Sequence, residues 1–299
     1  MSVLGIETGG TKIVARLVSA QGSTRAERRW PTTTPAAALA DLTAFVADAG
    51  ASDDLLSAVG IAAFGPLLID PRHPDCGRML DTAKPGWTGS NLRADLAQAL
   101  DVPVAIDTDV NAAALAERAH GAGRGCDVVA YLTVGTGIGA GLASARGTLR
   151  GALHPEIGHL RLIRRSDDTT ASSCPFHDEC AEGLAAGPSV ALRLRPGETL
   201  ADRPDVRDQI AGYLAQLLTA IVLTWSPHRI IVGGGVGTAP MMLGAIRAAY
   251  KGALGGYGVG PVARSDDFIR PAALDHAGLD GAILLARTAA TSMVMRDVA

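Results

Sequence analysis

The segment Cys174-Pro-Phe-His177-Asp-Glu-Cys180 gathers two thiols and an imidazole at intervals of three residues, the ligand chemistry of zinc. It reads as three ligands of a tetrahedral site whose fourth comes from elsewhere. His154 and His159, in the stretch HPEIGH just upstream, are the nearest candidates. Four protein ligands leave no open coordination position, so such a site is structural and pins a loop that also carries Glu156 and Glu182. The plainer alternative is a pair of reduced thiols beside a surface histidine, and Cys76 and Cys126 read as thiols without a role.

Two carboxylates form the second constellation. Asp107 and Asp109 follow the apolar run VPVAI and precede an alanine-rich helical stretch, so one of them faces a site at the carboxyl edge of a strand, where open α/β sheets bind ligands. A base for phosphoryl transfer needs one carboxylate within reach of the acceptor hydroxyl. The competing reading is a helix N-cap, a role Asp fills often.

Glycine turns form the third. After a strand they let several backbone N–H groups converge on an anion, because no Cβ blocks the approach. Gly9 and Gly10, with Thr11 and Lys12, form one such turn; Thr133, Gly135, Thr136, Gly137 and Gly139 form another; Gly233, Gly234 and Gly235 form a weaker third. The string GGTK lacks the G-x-x-x-x-G-K-[ST] spacing of a P-loop and runs into a strand pattern. An ordinary hairpin turn is the bland reading of Gly9 and Gly10, and packing in a strand-to-helix turn that of Gly233 to Gly235, while the recurrence of Thr/Gly turns argues for phosphate binding. Glu156, His159 and Glu182 suit hydrogen bonds to sugar hydroxyls, although solvation is the usual fate of a surface glutamate.

The elements that must position these groups are legible in outline. VLGI and IVARLV flank the first turn as a hairpin, and AYLTV and IGAGLA flank the second. Aligning Ile6 with Leu132 places Gly9 on Gly135, which suggests two related α/β halves. Leu55 to Ala62 and Val102 to Ile106 read as buried parallel strands, Ala112 to His120 as a helix, Ile210 to Thr224 as a long helix, Arg229 to Val232 as a strand, and Asp280 to Met293 as a final amphipathic helix.

Bulk properties narrow the class. At 299 residues, two domains are the default expectation. Hydrophobic residues at 47% and charged ones at 19% exclude a disordered chain. The formal charge of −3, with scattered Arg and Lys, gives no basic face for nucleic acid or anionic lipid. The opening MSVLGIETGG has no signal-peptide pattern and no apolar run suits a bilayer span, so a cytoplasmic protein is expected, with reduced cysteines.

Together, ETGGTK, DTDVNAAALAE, TVGTGIGAG, HPEIGH, CPFHDECAEGLAAGPS and RIIVGGGV resemble the ROK family of sugar kinases and repressors, and specifically its fructokinase branch. The resemblance spans nearly the whole chain, in the family's order.

It implies an actin-like (ribonuclease H-like) ATPase fold of two α/β lobes around a nucleotide and sugar cleft. One lobe covers residues 1–117 and is completed by a C-terminal helix at 280–299; the other covers 118–279 with the zinc loop. It implies that Gly9, Gly10, Thr11 and Lys12 and then Thr133 to Gly139 hold the phosphates of ATP, that Gly233 to Gly235 border the adenosine, and that Mg²⁺ bridges the phosphates. Asp109 matches the catalytic aspartate, and Glu156, His159 and Glu182 match sugar-contacting residues. His159, Cys174, His177 and Cys180 match the zinc ligands, which favours His159 over His154. Glu7 stands where many members have Asp, and Thr108 where glucokinase-like members have Asn; both resemble the fructokinase branch. Homodimers are usual in the family. The alternatives are a glucose, mannose or N-acylhexosamine kinase, and a sugar-sensing repressor, which is disfavoured because the first strand begins near Val3 and leaves no helix-turn-helix.

Overall fold

The computed structural model describes residues 1–50 and 55–297, with side chains as far as residue 291. The chain forms two compact units. The first comprises Met1–Ala116, Thr148–His154 and the segment from His276 onward; the second comprises Glu117–Gly147 and Pro155–Asp275.

In the first unit, β1 (Ser2–Thr8), β2 (Lys12–Val18), β3 (Thr24–Pro31), β4 (Leu56–Ala63) and β5 (Val104–Thr108) make a sheet of order β3-β2-β1-β4-β5. β1 is antiparallel to β2, with Ile6 opposite Ala15, and parallel to β4, with Ile6 opposite Ile61. The near-continuous apolar run of β1 suits a central strand covered on both faces, whereas the charged sequence of β3 suits an exposed edge. Helix α1 (Pro35–Ala49) starts at Thr34, whose hydroxyl accepts from Ala37 N, and buries Leu42 and Phe45 in the same core as Leu4, Ile6 and Ile61. Helix α2 (Leu92–Leu100) adds Leu92 and Leu96. Helix α3 (Asp109–Ala119) leaves β5 directly.

A second sheet, of order β10-β9-β6-β7-β8, is made by β6 (Val128–Val134), β7 (Ile138–Ser144), β8 (Gly147–Thr148), β9 (Arg229–Gly233) and β10 (Ile269–Pro271), and belongs to the second unit except at Thr148, where the chain passes to the first. Its β6 is antiparallel to β7 and parallel to β9, so the two sheets repeat one plan of hairpin plus parallel strands. The alignment of Ile6 with Leu132 therefore corresponds to equivalent positions in the fold. Two short helices, α4 (Ala181–Ala185) and α5 (Gly187–Ala191), precede α6 (Pro204–Trp225), which packs Ile210, Leu214, Leu217 and Ile221 with Leu132 and Val134; α7 (Met242–Ala253) adds Met242 and Ile246.

The last helix, α8 (Ala277–Asp297), lies on the sheet of the first unit. Its approach requires glycine beneath it: a Cβ on Gly60 would stand 1.9 Å from Ala282 O. Residues 298 and 299 of the expected C-terminal segment lie outside the described residues. A single boundary at 117/118 leaves out the return of Thr148–His154 to the first unit, which follows from hydrogen bonds of Thr148 to Asp107 and of His154 to Leu67. No helix among the described residues is long and apolar enough to cross a membrane.

Candidate active site

The β5–α3 junction separates the two aspartates. Asp107, the last residue but one of β5, is fully buried, and its carboxylate accepts from Thr108 N at 2.8 Å, from Asn111 Nδ2 at 2.8 Å and from the Thr148 hydroxyl. Arg150 stands 3.9 Å away. That carboxylate is committed to holding the strand end. Thr108 takes the capping role, its hydroxyl accepting from Asn111 N at 3.2 Å. Asp109 is then the first residue of α3, half-buried, with Oδ1 accepting from Val110 N at 2.8 Å. The helix begins at Asp109, earlier than the periodicity indicated, because Thr108 rather than an aspartate caps it.

Glu7, at the end of β1, is drawn toward the N-terminus of α8, where Leu279 N–H donates to its carboxylate. Burial pushes its pKa up, against the pull of Lys12 and His276. The longer side chain fits because residue 278 is glycine, whose Cβ would otherwise meet Glu7 Oε1 at 2.8 Å.

The first glycine turn closes with Gly9 N donating to Lys12 O at 2.8 Å. Gly10, Thr11 and Lys12 are exposed, and side chains hold the turn: the Thr32 hydroxyl donates to Gly9 O at 2.6 Å and Lys84 Nζ to Gly10 O at 2.8 Å. The second turn closes with Gly135 N donating to Gly137 O at 2.9 Å. It is packed against the third, for Val236 N donates to Val134 O at 2.9 Å, and Gly234, at φ +79°, has no room for a Cβ, which would meet Val134 O at 2.4 Å. Thr133 pairs with Gly233 across β6 and β9. Helix α5 joins the same cluster through Gly187 N, which donates to Gly135 O at 2.7 Å.

Glu182, in the first turn of α4, accepts from Ile138 N at 3.0 Å and lies so close to Gly137 that a Cβ there would stand 2.6 Å from Glu182 Oε2. A carboxylate thus sits at the end of the second turn. Glu156 is exposed and precedes the short 3₁₀ turn Ile157–His159, its carbonyl accepting from His159 N.

One ligand atom from each of His159, Cys174, His177 and Cys180 lies within 4.8 Å of the others. Cys174 Sγ is 3.8 Å from both His159 Nδ1 and His177 Nδ1. Thiolate and imidazole on one tetrahedral zinc stand about 3.6 Å apart from ordinary bond lengths, so this donor set fits the ion. His154 is not among the four: it is buried in the first unit, its Nε2 accepting from Leu67 N at 3.0 Å. Without a metal, burial pushes the Cys180 thiol up to about 11 against the hydrogen bond from Gly183 N, so a bound cation must displace its proton.

Sequence reasoning missed a buried carboxylate in the segment between His159 and Cys174. Asp168 is buried, and its Oδ2 accepts from Tyr213 Oη at 2.7 Å and from Arg193 Nη2 at 2.6 Å. Burial alone would raise its pKa, but those hydrogen bonds outweigh burial and hold the carboxyl well below the usual range. Lys84 was missed too, since an isolated lysine in TAKPGW gives no signal of reaching Gly10.

The structure therefore brings Thr133, Gly135, Thr136, Gly137, Glu182 and Gly233 to Gly235 into one neighbourhood of the second unit and gathers the four Cys/His residues there, with Glu156 three residues before His159. Asp109 and the turn Gly9 to Lys12 belong to the first unit.

Comparison with known proteins gives a consistent picture. The model of the ROK family matches residues 3–289. A fructokinase of Zymomonas mobilis subsp. mobilis is 38% identical, covering 95% of this chain and 96% of that protein. A fructokinase of Pediococcus pentosaceus is 35% identical, covering 95% of this chain and 97% of that protein. The crystal structure of a ROK family glucokinase from Streptomyces griseus in complex with glucose and AMPPNP has a TM-score of 0.75 at 27% identity, covering 96% of this chain and 100% of that one.

Proposed function

The chain belongs to the ROK family, and from that membership we propose that it is an ATP-dependent hexose kinase, with fructose as the first acceptor and fructose 6-phosphate as the product. The observation that carries the reading is the β5–α3 junction. Asp107 is consumed in holding the strand end and Thr108 caps the helix, so of the two carboxylates it is the half-buried Asp109, in the first turn of α3, that suits the role of base.

Asp109 acts as general base. It accepts the proton of the attacking hydroxyl while the sugar oxygen bonds to the γ-phosphorus and the bond to the β–γ bridging oxygen breaks, releasing ADP. Backbone N–H groups of Gly9 to Lys12 and of Thr133 to Gly137 hold the phosphates, and Gly233 to Gly235 border the adenosine. Mg²⁺ bound with ATP would supply positive charge to the phosphoryl oxygens. Glu156, His159 and Glu182 bind the sugar hydroxyls. Zinc on His159, Cys174, His177 and Cys180 is structural: it fixes the loop, and His159 Nδ1 faces the other donors, leaving its second ring nitrogen for the substrate. The working assembly is a homodimer.

Fructose is preferred to glucose because the two fructokinases are 35% and 38% identical and the glucokinase 27%, and because position 108 is a threonine engaged in capping and offers no amide to a sugar. The test has two parts. ADP release is followed across fructose, glucose, mannose and N-acylhexosamines; turnover of glucose with none of fructose rejects the acceptor. Asp109→Asn should lower kcat by about 10²- to 10⁴-fold while an ATP analogue still binds; unchanged turnover rejects the base.

A further inference from the structure

Residues 161–180 leave the body of the second unit and return, with Cys174 and His177 on the returning arm folded back beside His159 and Cys180, and the two arms are tied at their base by the pairing of Arg161 with Cys180 and by Leu162 N donating to Glu179 O at 2.8 Å. Arg164 braces the arms from within, donating to Thr170 O at 2.8 Å and to Asp178 O at 2.7 Å. None of these bonds attaches the excursion to anything outside itself.

Attachment to α6 comes from Gln216, which pairs with Ile163 N and O at 2.8 and 3.0 Å, and from Tyr213 Oη, which accepts from Arg165 N at 3.2 Å, and one buried carboxylate adds the tie toward α5. Asp168 Oδ2 accepts from Tyr213 Oη on α6 and from Arg193 Nη2, just beyond α5, and the side chains of Asp168 and Arg193 are only 1% and 4% exposed. The same guanidinium turns its Nη1 onto Ser189 O at 2.7 Å and Ser189 Oγ at 2.5 Å, within α5. Two residues before Ser189, Gly187 N donates to Gly135 O at 2.7 Å. A continuous path of short hydrogen bonds therefore runs from the Cys/His excursion through α5 to the second glycine turn. Glu182, two residues past the excursion on α4, bonds the same hairpin directly by accepting from Ile138 N at 3.0 Å.

An ion pair this deeply buried is weak support for stability as such, because desolvation offsets much of the attraction. What it supplies is a fixed geometry, since a planar guanidinium donating to three acceptors holds their spacing. We propose that Asp168 is a positioning residue: through Arg193 and Ser189 it sets the excursion, with His159 and Glu182, in register with the turn Thr133–Gly137, so that the sugar-binding and phosphate-binding groups of this unit are placed together. This rests on the kinase reading above.

Steady-state kinetics and amide hydrogen exchange on the full-length enzyme test it. Asp168→Asn should raise KM for the hexose and for ATP together, about tenfold each as expected for groups displaced by an ångström or less, and should speed exchange in both 164–172 and 134–138 while leaving β1 and β4 unchanged. Tyr213→Phe, which removes the bonds of Asp168 and Arg165 to α6 while leaving those of Gln216 and Arg193, should raise KM for the hexose alone. Wild-type KM values in Asp168→Asn with only a lowered Tm would reduce the node to fold stabilisation and overturn the proposal. Where Asp168→Asn does not fold, Ser189→Ala decides: a smaller rise in both KM values supports the path, and unchanged values overturn it. Chelated wild-type enzyme should lose exchange protection at 174–180 and retain it at 164–172; loss in both segments would assign the positioning to the metal instead. Absence of any hexose phosphorylation by the wild-type enzyme would reject the kinase reading, and the exchange data would still decide whether Asp168 ties 164–172 to 134–138.

Discussion

The turns Gly9–Lys12 and Gly135–Gly137 occupy the same place in two sheets of the same plan, yet the first leans more on side chains and the second more on packed backbone. Side chains reach in to hold the first, from Thr32 and Lys84, and nothing stands within 4 Å of a Cβ built on Gly10. The second is backbone packed on backbone: Gly187 against Gly135, Val236 and Gly237 against Val134, with Gly234 in the left-handed region. Topology fixes where a turn stands; its neighbours decide whether glycine serves the shape of the protein or the access of a ligand.

The largest effect is expected where glycine serves shape. Gly234→Ala combines a positive φ with a Cβ 2.4 Å from Val134 O, backbone that cannot swing away. A loss of about 3 kcal/mol is expected, the upper end for a strained backbone position because steric overlap adds to the φ, read from chemical denaturation. A variant of wild-type stability would show that the third turn is loosely held and that the contrast between the turns is false.

Gly137→Ala stands between the two cases. Its Cβ would meet the far end of Glu182 at 2.6 Å, a flexible side chain that can move. The hydrogen bond to Ile138 N is then lost at a cost of about 1 kcal/mol, while Glu182 leaves its place. KM for the hexose should rise, about tenfold, with KM for ATP nearly constant; equal rises in both would mean that the methyl acts on the turn and not on Glu182. Thr32→Val, at the first turn, removes the bond to Gly9 O from a nearly isosteric side chain. It should cost about 1 kcal/mol or less and raise KM for ATP a few-fold, and an unaltered KM would show that the turn keeps its shape without the hydroxyl.

Much of this was legible in the sequence, for reasons that differ by residue. Alternation and glycine spacing are local signals, so both hairpins, β4, β5 and the two long helices α6 and α8 could be read, and the spacing C-x₂-H-x₂-C named three of the four gathered side chains. Asp107 and Asp109 could not be told apart, because both carry the same carboxylate and the deciding partners, Thr148 and Arg150, lie 41 residues and more away in sequence. His154 and His159 share one short motif and part company only because Leu67 N takes His154. The Asp168 node was invisible for the same reason: its partners stand 25 and 45 residues along the chain. What was missed is non-local polar pairing, which has no period.

The smallest effect on stability is expected at Gly10, and it is the most informative about function. The residue lies outside the left-handed region and has open space around it, so neither conformation nor packing demands glycine there. Gly10→Ala should leave stability within about 0.5 kcal/mol of the wild type or raise it slightly, by restricting the unfolded chain. If the turn grips a phosphate through its N–H groups, the same methyl obstructs the close approach of an anion to the backbone. KM for ATP should therefore rise although Tm does not fall, the reverse of Gly234→Ala, where stability is lost first. A Gly10→Ala enzyme with wild-type stability and wild-type KM for ATP would leave the first turn without a ligand and confine phosphate binding to the second unit.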